Sequence, residues 1–311
     1  MKRRALLASA LAAPALAQGR PIRIIVPFSP GGQSDTVARL ITPGMAEALG
    51  ANIVVENRPG AGGAIGAGQV AVAPADGMTL LVDSFGFVVQ PLIQRGLPFD
   101  YERAFAPVSQ LVALPYVLVV RANFPARDLA GYLAAARAGQ VNFGSPGVGS
   151  IGHLAGALLA HRAGVRLEHV PYRGGQDAAR DVAAGNLDSA ISTANSLRPL
   201  TLDNRAHGIA LTSARAMGTM ASLPTIAASG FPGYDLTSWN GIFAPAATPV
   251  AMQARIAAAV DAALTDATRR ERLSATGNEP VGGPPSAFAA VVARDAQVVR
   301  DLVRETSLRV E

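Results

Sequence analysis

The sequence predicts an α/β protein of two lobes, with a ligand cleft between them and two hinge crossings. Three observations carry this expectation. Short β-branched runs alternate with helix-spaced segments over the first 80 or so residues. A second strand–helix series follows Pro115–Arg121. A further strand, Thr237–Pro245, reads as a return to the first unit. The boundaries that follow are residues 20–121 and 240–311 for one lobe and 122–239 for the other. The chain crosses near 119–123 and 236–243, and a ligand is expected at the carboxyl ends of strands.

The elements justify this in order. Ile22–Phe28 is apolar and β-branched and ends in Pro30-Gly31-Gly32, which suits a buried parallel strand. Ser34–Ile41 has helical spacing and opens on Ser and Asp. Asn52–Glu56 is a strand, Gly62–Ala73 a Gly-opened helix, Pro74–Gly77 a turn and Met78–Val82 a strand. In the second series, Leu129–Gly139, Gly152–Gly164 and Gly175–Gly185 read as helices. Val141–Ser145, Leu167–Tyr172, Leu187–Ser192 and His207–Thr212 read as strands. The end is helical over Pro249–Asp266, Ala267–Gly277 and Pro285–Glu305.

Composition narrows the chemistry. Of 311 residues half are apolar and 16% charged, which is globular. There is no cysteine, so disulfides, thiol catalysis, Cys-based metal sites and a lipoprotein anchor are excluded. Lys2 is the sole lysine, and it stands in a leader. Met1–Gly19 has a basic start, an apolar stretch from Ala5 to Ala13 and then Ala15-Leu16-Ala17, the pattern of a signal peptide over residues 1–17. Removing Lys2, Arg3 and Arg4 takes the net charge from +5 to 5 − 3 = +2. That balance, without a basic run, gives no support to nucleic-acid binding. Schiff-base chemistry and the P-loop lysine leave with Lys2.

Two loops carry the candidate site. The first runs from Pro27 through Phe28 to Asp35, between a strand and a helix. Gly31 and Gly32 allow close backbone approach, Ser29 and Ser34 offer hydroxyls, and the helix start offers free N–H groups. The plainer reading is a strand-to-helix turn capped by Ser34 or Asp35. The second loop spans Phe143–His153, with Ser145, Gly147, Val148, Gly149, Ser150 and His153 at another strand-to-helix junction. One such loop per lobe forms a pincer suited to carboxylates held without Arg or Lys. Gly147-x-Gly149-x-x-Gly152, with Glu168 beyond, also matches a dinucleotide fingerprint, so an oxidoreductase stands as an alternative. The four histidines lack metal spacing, and no nucleophile elbow exists because Val148 stands where glycine is needed.

The segments Ile22–Arg39, Val54–Ala71, Pro74–Leu81, Phe105–Leu111, Asn142–Gly156, Val170–Asp188, Leu223–Asp235 and Trp239–Pro249 resemble, in order, the Bug-type substrate-binding proteins of tripartite tricarboxylate transporters. The resemblance covers nearly the whole mature chain. It implies a periplasmic-binding-protein fold of the Venus-flytrap kind. It also implies capture of a carboxylic acid outside the cytoplasm, without catalysis or cofactor, by a monomer that delivers it to membrane permease subunits. Carried over, the two loops hold the ligand, and a third wall comes from Ser84, Phe85 and Phe87. Ser192 and Thr193 stand where many relatives have a nearby Asp. Phe85 and Phe87 make the third wall apolar, so an acid with an apolar or aromatic body is expected over citrate. A sensory protein docking on a receptor kinase is the other transport-free reading.

Export is directly testable. N-terminal sequencing of protein from a periplasmic fraction is expected to start at Gln18 or within a residue or two. Intact Met1 recovered only from cytoplasm would contradict it.

Overall fold

A computed structural model describes residues 20–306 apart from residue 95. The leader with its Ala15–Ala17 cleavage signal lies outside the described residues.

The first sheet collects six strands. They are β1 (Ile22–Val26), β2 (Ile53–Asn57), β3 (Thr79–Ser84), β4 (Phe105–Leu114), β10 (Ser238–Pro245) and β11 (Glu279–Gly282), in the order β11-β4-β10-β3-β1-β2. β1 runs parallel to β2 and β3, while β10 is antiparallel to both β3 and β4. Both faces are covered, which is why these strands read as unbroken apolar runs. Ile24, Val26, Leu80 and Val82 pack on one side with residues of α1 (Gln33–Leu49) and α9 (Val250–Thr265). Ile25, Leu81 and Phe243 face the other side, with α2 (Ala64–Ala71), α3 (Gly86–Ile93) and α11 (Pro285–Thr306).

The second sheet has the order β7-β6-β8-β5-β9, from β5 (Tyr116–Arg121), β6 (Asn142–Ser145), β7 (Glu168–Pro171), β8 (Ser189–Thr193) and β9 (Ala206–Leu211). Helices α5 (Leu129–Ala138), α6 (Ile151–Ala163), α7 (Gly175–Ala184) and α8 (Ala194–Leu202) connect its strands. β6 is parallel to β7 and β8; β5 is antiparallel to β8 and β9. The short helix α4 (Tyr101–Ala104) precedes β4, and α10 (Ala267–Ala275) precedes β11.

The strand directions decide how the lobes meet. β4 points the same way as β1 and β3, so its last residue, Leu114, lies on their carboxyl edge. β5 begins at Tyr116 opposite Thr193, the last residue of β8, so it starts on the carboxyl edge of the second sheet. A single residue, Pro115, spans the two. The return strand β10 also starts at the carboxyl edge, with Ser238 opposite Leu114. Both crossings therefore join carboxyl edge to carboxyl edge, and the loops on those edges face one another. The fold is the expected two-lobed Venus flytrap.

The first crossing lies earlier than the sequence suggests. Pro115–Arg121 reads as a strand leaving the first unit near 119–123, but all of β5 is hydrogen-bonded within the second sheet. Proline without an N–H marks the break between ladders. Strands β4 and β11 and helices α3 and α8 are further elements that periodicity did not disclose.

Asp83 is an exception in the first sheet: it is 2% exposed, in an apolar strand. Its Oδ1 accepts the N–H of Ser84 at 2.7 Å. Burial pushes its carboxyl up to about 7, against the small help of that one donor. A carboxyl raised in the fold stabilises it below the unfolded value and loses that contribution as pH climbs through 7. Asp83→Asn keeps the acceptor and removes the charge. It is expected to stabilise the protein at about pH 8 by on the order of 3 kcal/mol and to have little effect near pH 4. Chemical denaturation at the two pH values measures the difference.

Candidate ligand site

The first loop is built by a buried carboxylate. Asp35, 3% exposed, accepts Gly31 N–H at 2.8 Å, Arg39 Nε–H at 2.9 Å and Asn57 Nδ2–H at 3.0 Å. Burial opposes its charge, but these hydrogen bonds from Arg39, Gly31 and Asn57 prevail and hold it below the usual carboxylate range. Asn57 Nδ2 also donates to Phe28 O at 3.0 Å. Asp35, one of the candidates, is thus occupied in bracing the loop. Ser34 is buried as well; its Oγ accepts Asn240 Nδ2–H at 2.7 Å. What remains on the surface is Ser29, Pro30, Gly31, Gly32 and Gln33. Gly32 is the N-cap of α1 and provides no side-chain cap, so first-turn N–H groups have no capping side chain. Gly31 sits at φ +78°, a conformation glycine reaches without strain.

The second loop is locked from beneath. Ser145 is wholly buried and its Oγ lies 2.7 Å from His169 Nε2. The same Oγ accepts Gly147 N–H at 3.2 Å, and Ser150 Oγ reaches Gly147 O at 2.7 Å. Ser150 caps α6 by accepting His153 N–H at 3.3 Å. Gly149 N–H donates to His153 Nδ1 at 3.2 Å, which requires that nitrogen to be unprotonated. The rings of His153 and His169 stack at 3.9 Å with 13° between planes. Burial lowers both; in His169 burial, then the His153 charge, brings it down to about 4. Ser145 and His153 therefore support the loop, and Val148, 44% exposed, tops it. His169 had no sequence signal, being 24 residues from Ser145. The Ser145–His169 contact is a serine–histidine pair in composition only, since the hydroxyl is inaccessible and committed to the turn.

The remaining candidates divide. Ser192 and Thr193 end β8 on the same edge as the second loop. Thr193 caps α8. Ser192 Oγ is buried without a hydrogen-bond partner, and a β-carbon on Gly175, at the start of α7, would come 3.1 Å from Ser192 Cβ. The unpartnered hydroxyl thus faces the first turn of α7, an anion-favouring helix end that the sequence reading did not single out. Ser84 lies half-buried at the end of β3. Phe85 and Phe87, by contrast, are core. Phe85 is 3% exposed and tilts on Trp239 at 6.3 Å; Phe87 is 5% exposed and stacks on Phe243 at 4.1 Å. With both rings buried, the expectation of a ligand with an apolar or aromatic body loses the Phe85–Phe87 wall as its basis. Phe87 instead lines a cavity of about 300 Å³ in the first lobe, with Tyr101, Phe105 and residues of α11.

The dinucleotide alternative loses its acid. Glu168 opens β7 opposite Asn142, the first residue of β6, and so lies at the amino edge, away from Gly147. In the fingerprint the acid belongs at the carboxyl end.

Residues 37–308 match the family described as tripartite tricarboxylate transporter family receptor. A protein encoded in the tcbD-tcbE intergenic region of Pseudomonas sp. strain P51 is 40% identical over 292 residues, covering 93% of this chain and 87% of its own length. An R. palustris protein solved with adipate is 31% identical with a TM-score of 0.76, over 93% of this chain and 98% of its own. MatC from Rhodopseudomonas palustris, with bound malate, is 31% identical with a TM-score of 0.69, over 94% and 99%.

The histidine pair gives the second loop a pH dependence. Because His169 is lowered in the fold, the unfolded chain binds more protons between about pH 4 and 6.5. The stabilisation is complete above about 6.5 and is lost as pH falls towards 4. The wild type is therefore expected to lose more stability than His169→Gln on going from about pH 7 to 4.5. Denaturation curves that shift in parallel for the two proteins would contradict the assignment.

Proposed function

The chain belongs to the tripartite tricarboxylate transporter receptor family, and on that footing we propose that it captures a small di- or tricarboxylic acid between its lobes and passes it unchanged to the membrane subunits of such a transporter. The observation that carries the reading is the pair of strand–glycine–helix junctions, Ser29–Gln33 and Gly147–Ser150, on carboxyl edges that face each other. Each turns backbone and a helix start towards the gap, and neither contains Arg or Lys. Helix starts carry unsatisfied N–H groups and the positive end of the dipole, which suits carboxylate oxygens. Two such sites favour an acid with a carboxylate at each end. Relatives at 31% identity were solved with adipate and malate, and both are such acids. Among the described residues no helix is long and apolar enough to cross a membrane. With the leader removed, the periplasm is the proposed compartment. The exposed Ser29 has no histidine or carboxylate among the described residues hydrogen-bonded to it to activate its hydroxyl, which fits a receptor.

Gly32→Val tests the first junction. Gly32 has φ −73°, which valine tolerates, and a β-carbon there lies 3.3 Å from Ser29 O, so the loop needs only a small adjustment. The branched side chain then covers the loop amides. Calorimetry with malate, adipate and citrate is expected to give saturable binding of at least one acid by wild type. Gly32→Val should weaken it at least about tenfold, with a melting temperature close to wild type. Failure of wild type to bind any acid of a broad carboxylate panel would remove the proposal.

A further inference from the structure

Beside the Pro115 crossing, a chain of hydrogen bonds runs from one candidate loop to the other lobe. Gln33, in the first turn of α1, donates from Nε2 to Asn278 Oδ1 at 2.5 Å. Asn278, 1% exposed, donates from Nδ2 to Thr276 Oγ1 at 2.7 Å. The carbonyl of Thr276 accepts Asn195 Nδ2–H. Residues 276–278 belong to the first lobe: they lead from α10 into β11, whose Glu279 pairs with Ala113 of β4. Asn195 belongs to the second, one residue after Ala194, whose N–H donates to Pro115 O at 3.4 Å. The Asn195–Thr276 bond is therefore an interlobe bond, made next to the residue about which the lobes join.

The surroundings are shaped for it. Gly277 has φ +77°, and a β-carbon there would come within 2.6 Å of Asn195 Cγ. Glycine here leaves room for the Asn195 amide to lie against the backbone of residue 277. On the far side, a β-carbon on Gly218 would lie 2.8 Å from Pro115 Cγ and 3.8 Å from Gly277 O, so Pro115, Gly218 and Gly277 form one close-packed corner. Asn195 also stands two residues from Thr193 and three from Ser192. The chain thus ties Gln33 at the first loop to the β8–α8 corner of the second lobe.

We propose that Gln33, Asn278 and Asn195 act as positioning residues that set the angle between the lobes, and through it the fit of the two carboxylate-holding edges around a ligand. The effect on affinity rests on the carboxylate reading above; the effect on the angle does not.

The test exploits the absence of cysteine. Val250→Cys on the first lobe and Leu202→Cys on the second, 79% and 62% exposed, carry spin labels, and pulsed dipolar spectroscopy reads the interlobe distance without ligand. Asn195→Asp keeps the shape but faces the Thr276 carbonyl with a carboxylate; Gly277→Ala strikes the same contact from the other side. Both are expected to shift or broaden the distance distribution in the same sense. Both should also weaken adipate binding by about threefold to tenfold, the worth of one hydrogen bond. A side chain that only stabilised its own lobe would lower the melting temperature and leave the distances alone. Unchanged distances in both variants overturn the proposal. So does a shift in Gly277→Ala alone, because strain at a positive φ then accounts for it. If wild type fails to bind adipate and the rest of the carboxylate panel, the carboxylate reading falls, and the distances still decide the brace.

Discussion

A helix that starts on a sheet edge brings N–H groups that its own hydrogen bonds cannot satisfy. In this protein that constraint organises the site. α1 starts after Gly32 without any capping side chain, and α6 and α7 start on the corresponding edge of the second sheet. The polar residues around these starts are spent on holding the turns open. Asp35 holds Gly31, His153 holds Gly149, and Ser145, pinned by His169, holds Gly147. The side chains with the most chemistry in them thus hold the turns, which leaves the proposed carboxylate contacts to the backbone.

This division explains what could be read in advance. Strand–glycine–helix junctions announce themselves by apolar runs that stop at Gly and Ser, so both loops and most strands were legible. The support beneath the loops was not. A buried cap and a ligand contact demand the same residue type, and only Asn57 and Arg39, brought in by β2 and α1, reveal which Asp35 is. His169 joins Ser145 because β7 lies beside β6, a pairing no local spacing encodes. Helix α3 was hidden by Gly86, Val88, Val89 and Pro91, all poor helix formers, in a segment that tertiary packing holds in place. β4 was obscured by Pro107 and by polar Ser109 and Gln110.

The aromatic residues teach a related point. Phe87 meets Phe243, Tyr101 and Phe105 within 5.5 Å or less. An apolar run after a strand that points at a cleft can turn into a helix and give side chains to the core, as Phe87, Val88 and Val89 do. Direction at the end of a strand is set by the turn that follows, and hydrophobicity alone does not report it. Tyr101 shows the cost of that packing: its hydroxyl is buried with no partner.

Pro115 leaves one further consequence. It is the whole of one connection between the sheets, and its ring removes both a rotatable φ and a ladder donor. The other connection enters β10 at Ser238, directly opposite Leu114. The two passages between the sheets thus lie side by side, and α11 of the first lobe also packs on α6 of the second, with Val299 and Leu302 in one apolar cluster with Leu154 and Leu158. The lobes therefore share buried apolar surface as well as chain, so a cavity cut into that cluster is felt on both sides of the cleft at once.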